Sequence, residues 1–329
     1  MKQLSFLDPG RRDDRAVVTA ATPSPELRAL GAAIPRGVRL GTSSWSFPGW
    51  AGLVYGKERA WKTAELSEHG LAAYAEHPIL RMVGVDRGFY APIPEADLRA
   101  YAAAVPDDFR FLVKAPSAVT DAVRRDTSGA PVGVSETFLD AALAIDTFVG
   151  PVTTALGEKA GPLVFQISPL PSYASPARVV ASLGEFLAAL PRGPLYAVEV
   201  RDPSLIGGAL LDALRASGAR YVVGVHARMP PVSAQIRFAR ALGPGPFVAR
   251  WNLLAGHSYA TAKESFAPFD ALRVPDDATR DALADAAFDA ASAGDGAFIV
   301  ANNKAEGSAP LTLERIARAI TRSSRPSAP

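Results

Sequence analysis

FRFLVKAP (residues 109–116), PLVFQISP (162–169) and YAVEVRDP (196–203) repeat one pattern, an apolar run that ends in polar residues at a proline-containing turn. The pattern puts Lys114, Gln166, Glu199 and Arg201 at the C-terminal ends of strands, and helix-like segments separate the three runs. Strands that alternate with helices and read as nearly continuous apolar runs are buried on both faces. That predicts a parallel sheet covered by helices.

Working outward, VRLGTS (38–43) reads as the first strand and LRMVGVD (80–86) as the second, with a helix over 64–76 between them that carries Leu66, Leu71 and Tyr74. Pro94 opens the next helix, with Leu98 and Tyr101 among its apolar positions. The connection 120–134 is long and polar, and such a loop in a compact domain is more often functional than filler, so it is a candidate lid. A helix is expected from Ser135 through Phe148, extended to 158. Ser175 caps another, in which Val179, Leu183, Phe186, Leu187 and Leu190 follow the 3.6-residue period. Strands RYVVGVHA (220–227), FVARWNLL (247–254) and GAFIVANN (296–303) alternate with helices over 205–217, 233–242, 276–291 and 311–320. Eight strand–helix pairs predict an α/β fold of one (β/α)8 TIM-type barrel, with every strand C-terminus on one rim. An open doubly wound sheet is the alternative. No glycine-rich nucleotide fingerprint follows a strand to support it.

At 329 residues and 48% hydrophobic, the chain can bury the core of one large domain. A net charge of +2 permits contact with anions but does not by itself indicate nucleic acid. Without cysteine there is no disulfide, thiolate metal site or cysteine nucleophile. No apolar stretch is long enough for a membrane span and no secretory signal is visible, so the expectation is a cytoplasmic protein.

Residues 1–36 read as a flexible tail, with a charge cluster between Arg11 and Arg15 and a small, proline-rich run at 22–25. Residues 37–322 form the barrel and 323–329 a C-terminal tail. Within the N-terminal tail, Gln3, Leu4, Phe6 and Leu7 form an amphipathic cluster resembling the short peptide by which many bacterial DNA-processing proteins dock onto the replication sliding clamp. The usual final Leu-Phe is here Phe6-Leu7. The alternative is a tail cluster that packs on the domain.

GTSSWSFPGW (41–50), FRFLVKAPSAVTD (109–121), LGEKAGPLVFQIS (156–168), YAVEVRDPS (196–204) and ANN (301–303) resemble, in order, the motifs of the DUF72 family, also called YecE-like. The resemblance implies a TIM-type barrel and a family without an established reaction; it supplies fold rather than chemistry. Two departures stand out. Gly84 and Asp86 occupy places where the family pattern has Glu and Asn, and Asn252 stands where a His usually follows the strand's Arg by two residues.

On the rim, Glu199 and Arg201 share a strand face, as do Arg250 and Asn252. Glu199 lies among apolar neighbours and needs a partner, for which Arg201 is the nearest candidate; an ion pair that closes the barrel is the structural alternative to a proton-transfer role. Lys114 suits electrostatic stabilisation, a Schiff base or a plain salt bridge to Glu199 or Asp86. Arg201 and Arg250, with Arg87 and Lys304 as further cations, would supply forks for phosphate or carboxylate. Gln166, Asn302, Asn303 and Asn252 are expected to contact ligand, and Trp45 and Tyr90 to pack at the mouth or stack on a ring. A multi-zinc barrel needs more histidines than remain, and a mononuclear site from Asp86, Glu199 and His226 is the lesser reading, so neither metal nor cofactor is expected.

Two functions fit. One is an enzyme that binds an anionic small molecule or nucleotide-like group through the arginines, with Glu199 or Asp86 as acid or base and Lys114 as stabiliser. The other is a non-catalytic module for an anion or a DNA end, recruited through the N-terminal peptide.

Overall fold

The computed structural model describes residues 17–126, 130–254 and 256–323. Among the described residues there are ten strands: β1 (Val38–Thr42), β2 (Leu80–Val85), β3 (Arg110–Lys114), β4 (Val123–Arg125), β5 (Pro131–Val134), β6 (Ala160–Ile167), β7 (Tyr196–Val200), β8 (Arg220–Val225), β9 (Phe247–Trp251) and β10 (Ala297–Ala301). Eight of them close into a parallel barrel in the order β1-β10-β9-β8-β7-β6-β3-β2, while β4 and β5 pair as a separate antiparallel hairpin. The expected eight-stranded barrel is therefore the fold.

Strand periodicity divides each barrel strand into an outward and an inward set. The outward set, including Phe111, Val113, Phe165 and Val198, packs against the surrounding helices. The inward set forms an apolar plug of Met82, Leu112, Val164, Ala197, Val222, Val248 and Val300. Two residues further along the same strands come Gly84, Lys114, Gln166, Glu199, Gly224, Arg250 and Asn302. The period of two thus stacks a polar layer on the plug at the strand C-termini, where barrel sites are built.

The helices that cover the barrel are α2 (Thr63–His69), α3 (Leu71–Ala75), α4 (Glu95–Ala103), α5 (Ser117–Thr120), α6 (Ala141–Ala144), α7 (Gly150–Leu156), α8 (Pro176–Ala189), α9 (Gly208–Ser217), α10 (Val232–Arg240), α11 (Tyr259–Phe266), α12 (Asp277–Ser292) and α13 (Ala309–Ser323). They follow α1 (Pro25–Ala33).

Several expectations change. The helix expected over 64–76 is two pieces, because the chain breaks at Gly70, whose amide closes α2 on the Leu66 carbonyl. The helix expected from Ser135 starts at Asp140, whose side chain accepts from Leu143 N, and passes through a π-turn over Ile145–Val149. The connection 120–134 holds the β4–β5 hairpin, so its described part is structured. Helix α11 had no counterpart in the sequence reading; the capping box of Ser258 and Thr261 that starts it is its only strong local signal.

The largest correction concerns the tail. Residues 17–36 belong to the folded body: Ser24 caps α1, Leu30 and Ile34 are buried, and Arg81 donates to the carbonyls of Gly31 and Ile34. The strand-like 19–21 segment pairs with 54–56 through Ala21 N to Val54 O (2.9 Å) and Gly56 N to Thr19 O (2.9 Å). Residues 1–16, which include Gln3, Leu4, Phe6 and Leu7, lie outside the described residues. No helix among the described residues is long and apolar enough to cross a membrane.

Candidate functional site

Glu199 on β7 is completely buried, and its ionised carboxylate meets three partners. Arg250 Nη1 donates to Oε2 at 2.7 Å, Arg201 Nη2 lies 2.6 Å from Oε1, and Asn252 Nδ2 donates to Oε1 at 3.2 Å. Room for the carboxylate comes from β8, where a Cβ at Gly224 would stand 3.3 Å from Oε1. Burial pushes the Glu199 carboxyl up, but Arg201 and Arg250 outweigh it and hold the group below the usual carboxylate range. Asn252 thus hydrogen-bonds the buried acid from just past the end of β9.

Arg250 is the hub of the mouth. Its second terminal nitrogen donates to both oxygens of Asp86 at 2.7 Å, and Nη1 also reaches Gln166 Oε1 at 3.3 Å. Burial lowers its pKa while Asp86 and Glu199 raise it more, so the guanidinium is locked in its charged form. Arg201 shares the same Gln166 oxygen at 3.2 Å through Nη2. Its Nη1 has no hydrogen-bond partner among the described residues. A Cβ at Gly84 would lie 3.2 Å from Ser43 Cα and 3.4 Å from Val300 Cγ1, a tight fit against the barrel wall.

Lys114 stands apart from this network. It is 8% exposed, and Nζ makes neither a hydrogen bond nor a salt bridge to a described residue; it lies over the Phe89 ring at 3.5 Å. The salt bridge to Glu199 or Asp86 is not formed, because those carboxylates are turned to the arginines. Burial lowers the amine to about 8, with Asp86 and Glu199 pulling it up and Arg250 and Arg201 pushing it down.

The remaining rim residues divide. Asn302 donates to Ser43 Oγ at 2.8 Å and accepts from Lys304 N at 3.0 Å, which fixes the β10–β1 side of the mouth. Asn303 is buried away from the mouth, where its Oδ1 accepts from Trp50 Nε1 (3.1 Å) and Ala309 N (2.8 Å). Trp45 is also core, edge-on to Tyr101 at 5.0 Å, whereas Tyr90 is 86% exposed. Arg87 is paired with Asp97 on α4 and Lys304 lies 5.5 Å over the Tyr259 ring, so neither adds to the central cluster. His226 is kept neutral: burial first, then Arg201 and Arg228, lower it to about 4. No group of three or more His, Asp or Glu among the described residues is arranged to hold a metal ion. Gly224 is the position that sequence reading missed, and its only signal is an inward place with no side chain beside an acid.

No curated protein matches the chain. Among solved structures it is similar to a DUF72 family protein from Enterococcus faecalis V583, at 18% identity and a TM-score of 0.59 over 86% of this chain and 95% of that one. It is also similar to a DUF72 family protein from Thermotoga maritima MSB8, at 17% identity and a TM-score of 0.59 over 85% and 98% of the two chains. At that identity the likeness carries the fold alone. Residues 39–329 match the family described as "Protein of unknown function DUF72", a span that includes all eight barrel strands but for Val38 and every residue of the mouth, and the chain belongs to that family.

Proposed function

We propose that the chain is an enzyme that binds an anionic small molecule, bearing phosphate or carboxylate, at the C-terminal mouth of its barrel. The observation that carries this reading is an unbalanced charge in a closed site. Two carboxylates, Asp86 and Glu199, face three cations, Lys114, Arg201 and Arg250, which leaves a formal +1 when Lys114 is protonated. Both terminal nitrogens of Arg250 are held by Asp86, Glu199 and Gln166, and the unpartnered Nε atoms of Arg250 and Arg201 are buried, so the donors left for a ligand are Arg201 Nη1 and Lys114 Nζ, on side chains that keep 9% and 8% of their surface exposed. Guanidinium and ammonium donors on largely buried side chains suit an oxyanion.

Burial of Glu199 favours an enzyme over a flat recognition module, because an open binding rim has no need to sequester a carboxylate. Within the enzyme reading Glu199, which is completely buried, anchors both arginines, and Asp86, which is also held by Arg250 but whose side chain is 37% exposed, is the acid or base.

Thermal unfolding in the presence of phosphate, sugar phosphates, nucleotides and dicarboxylates tests this. A ligand at 100 times its dissociation constant adds about 2.7 kcal/mol of stability, and Arg201→Ala should remove that gain while leaving the unliganded protein folded. Equal midpoint shifts in wild type and Arg201→Ala refute the assignment.

A further inference from the structure

Lys114 is placed unlike a residue whose only task is to hold a charge. A lysine that serves as a fixed cation is given a counter-ion, and here both available carboxylates are oriented to Arg250 and Arg201 instead. The groups that face the amine are Asp86, Glu199, Arg201 and Arg250, together with the Phe89 ring at 3.5 Å. The ring excludes water from one side of Nζ, and the apolar plug, with Leu112 two residues back on β3, closes the barrel beneath it. Such an amine keeps a usable lone pair at the mouth of a barrel, on a strand rather than a mobile loop.

We propose that Lys114 is a nucleophile that forms an iminium with the carbonyl carbon of an aldehyde or ketone substrate. This rests on the anion reading above only for the substrate's charged group, which Arg201 Nη1 would receive. In the first step the neutral amine adds to the carbonyl carbon and its proton moves to the carbonyl oxygen, giving a carbinolamine. Asp86, a partly exposed carboxylate, then relays a proton from solvent to that hydroxyl; water leaves, and the nitrogen lone pair forms the carbon–nitrogen double bond. No oxidant or reductant is consumed. The fall of the amine to about 8 supplies a neutral fraction at ordinary pH.

The test is reductive trapping. Wild-type protein is incubated with sodium cyanoborohydride and either glyoxylate, an aldehyde with a carboxylate, or glycolaldehyde, an uncharged one, and the modified lysines are mapped after digestion. The chain has seven lysines, so the map is complete and Lys304, also lowered by burial, is an internal comparison. Carboxymethylation by glyoxylate should fall on Lys114 at least ~10-fold faster than on Lys57, Lys62 or Lys304. Its rate should level off above about pH 8 while the exposed lysines keep accelerating. Lys114→Arg should lose the adduct, and the wild-type rate profile serves the same purpose if that variant does not fold. Labelling spread over the lysines without preference for Lys114 overturns the proposal. Midpoint shifts with anions but no Lys114 adduct sink the iminium and leave the anion site standing. Preferential Lys114 labelling at equal rates with both probes, without anion shifts, supports the nucleophile and removes the anion site.

Discussion

Lys114 and Glu199 are both buried ions, yet burial has opposite outcomes at the two. Glu199 is given two guanidinium partners and an amide, which outweigh its desolvation, while Lys114 is given an aromatic face and no counter-ion. The sign of the pH effect follows. The folded amine is lowered to about 8 against an ordinary value of 10.5, so the unfolded chain binds more protons between those limits. The penalty is fully present below pH 8 and fades as pH rises towards 10.5. Lys114→Met, which keeps the volume and removes the charge, should therefore stabilise the protein at pH 7 by up to about 3 kcal/mol, from 1.36 kcal/mol per pKa unit. Urea unfolding of the two proteins at pH 7 and pH 10 checks this: the gap should shrink at pH 10. A gap that is the same at both pH values shows that the amine is not held down by the fold.

Among the elements, α1 shows how local signals and tertiary packing cooperate. Ser24 accepts from Leu27 N at 3.2 Å, Pro25 occupies the first turn and Glu26 sits where the helix dipole favours an acid. These features start the helix, but a nine-residue helix is marginal in water without a surface to bury against. That surface is supplied by the body, which buries Leu30 and Ile34, and by Arg81, which satisfies two carbonyls at the helix end. Gly31 lies flush on Pro78, where an added Cβ would be 2.6 Å from the carbonyl oxygen. A chain starting at Gly37 should lose about 3–6 kcal/mol, from two buried aliphatic side chains at 1.5–3 kcal/mol each. Gly31→Val should lower the thermal midpoint without shortening the chain. Calorimetry of both variants is the check, and midpoints within one degree of wild type would show that α1 contributes nothing to the body.

At the scale of the whole molecule, the barrel places the mouth at one end, and the described chain begins at Val17. Nine residues lie between Leu7 and Val17, a length of chain that spans roughly 30 Å at full extension. We propose that Gln3, Leu4, Phe6 and Leu7 form a docking peptide for the bacterial sliding clamp, recruited independently of the barrel. Short extended peptides bury little area, so affinity on the order of micromolar or weaker is expected. Fluorescence polarisation of a peptide covering residues 1–10 against purified clamp should show binding that the double change Gln3→Ala, Phe6→Ala removes. Flat polarisation at high micromolar clamp discards the idea.

The sequence by itself determined the barrel, because eight apolar runs alternating with helices admit few ways to bury both strand faces, and it placed Lys114, Gln166, Glu199 and Arg250 on one rim through the period of two. It also named Arg201 as the nearest partner of Glu199, and the two do pair. What the tertiary structure decided is who pairs with whom: Arg250 takes Asp86, 164 residues away along the chain, as well as Glu199, and so leaves Lys114 without a counter-ion. It likewise turned Asn303 to Trp50 and Arg87 to Asp97, and folded residues 17–36 onto the body. Periodicity reports which face a side chain takes. Pairing depends on distances across the barrel that no local pattern encodes, and a short amphipathic helix reads as a tail until the surface that buries it exists.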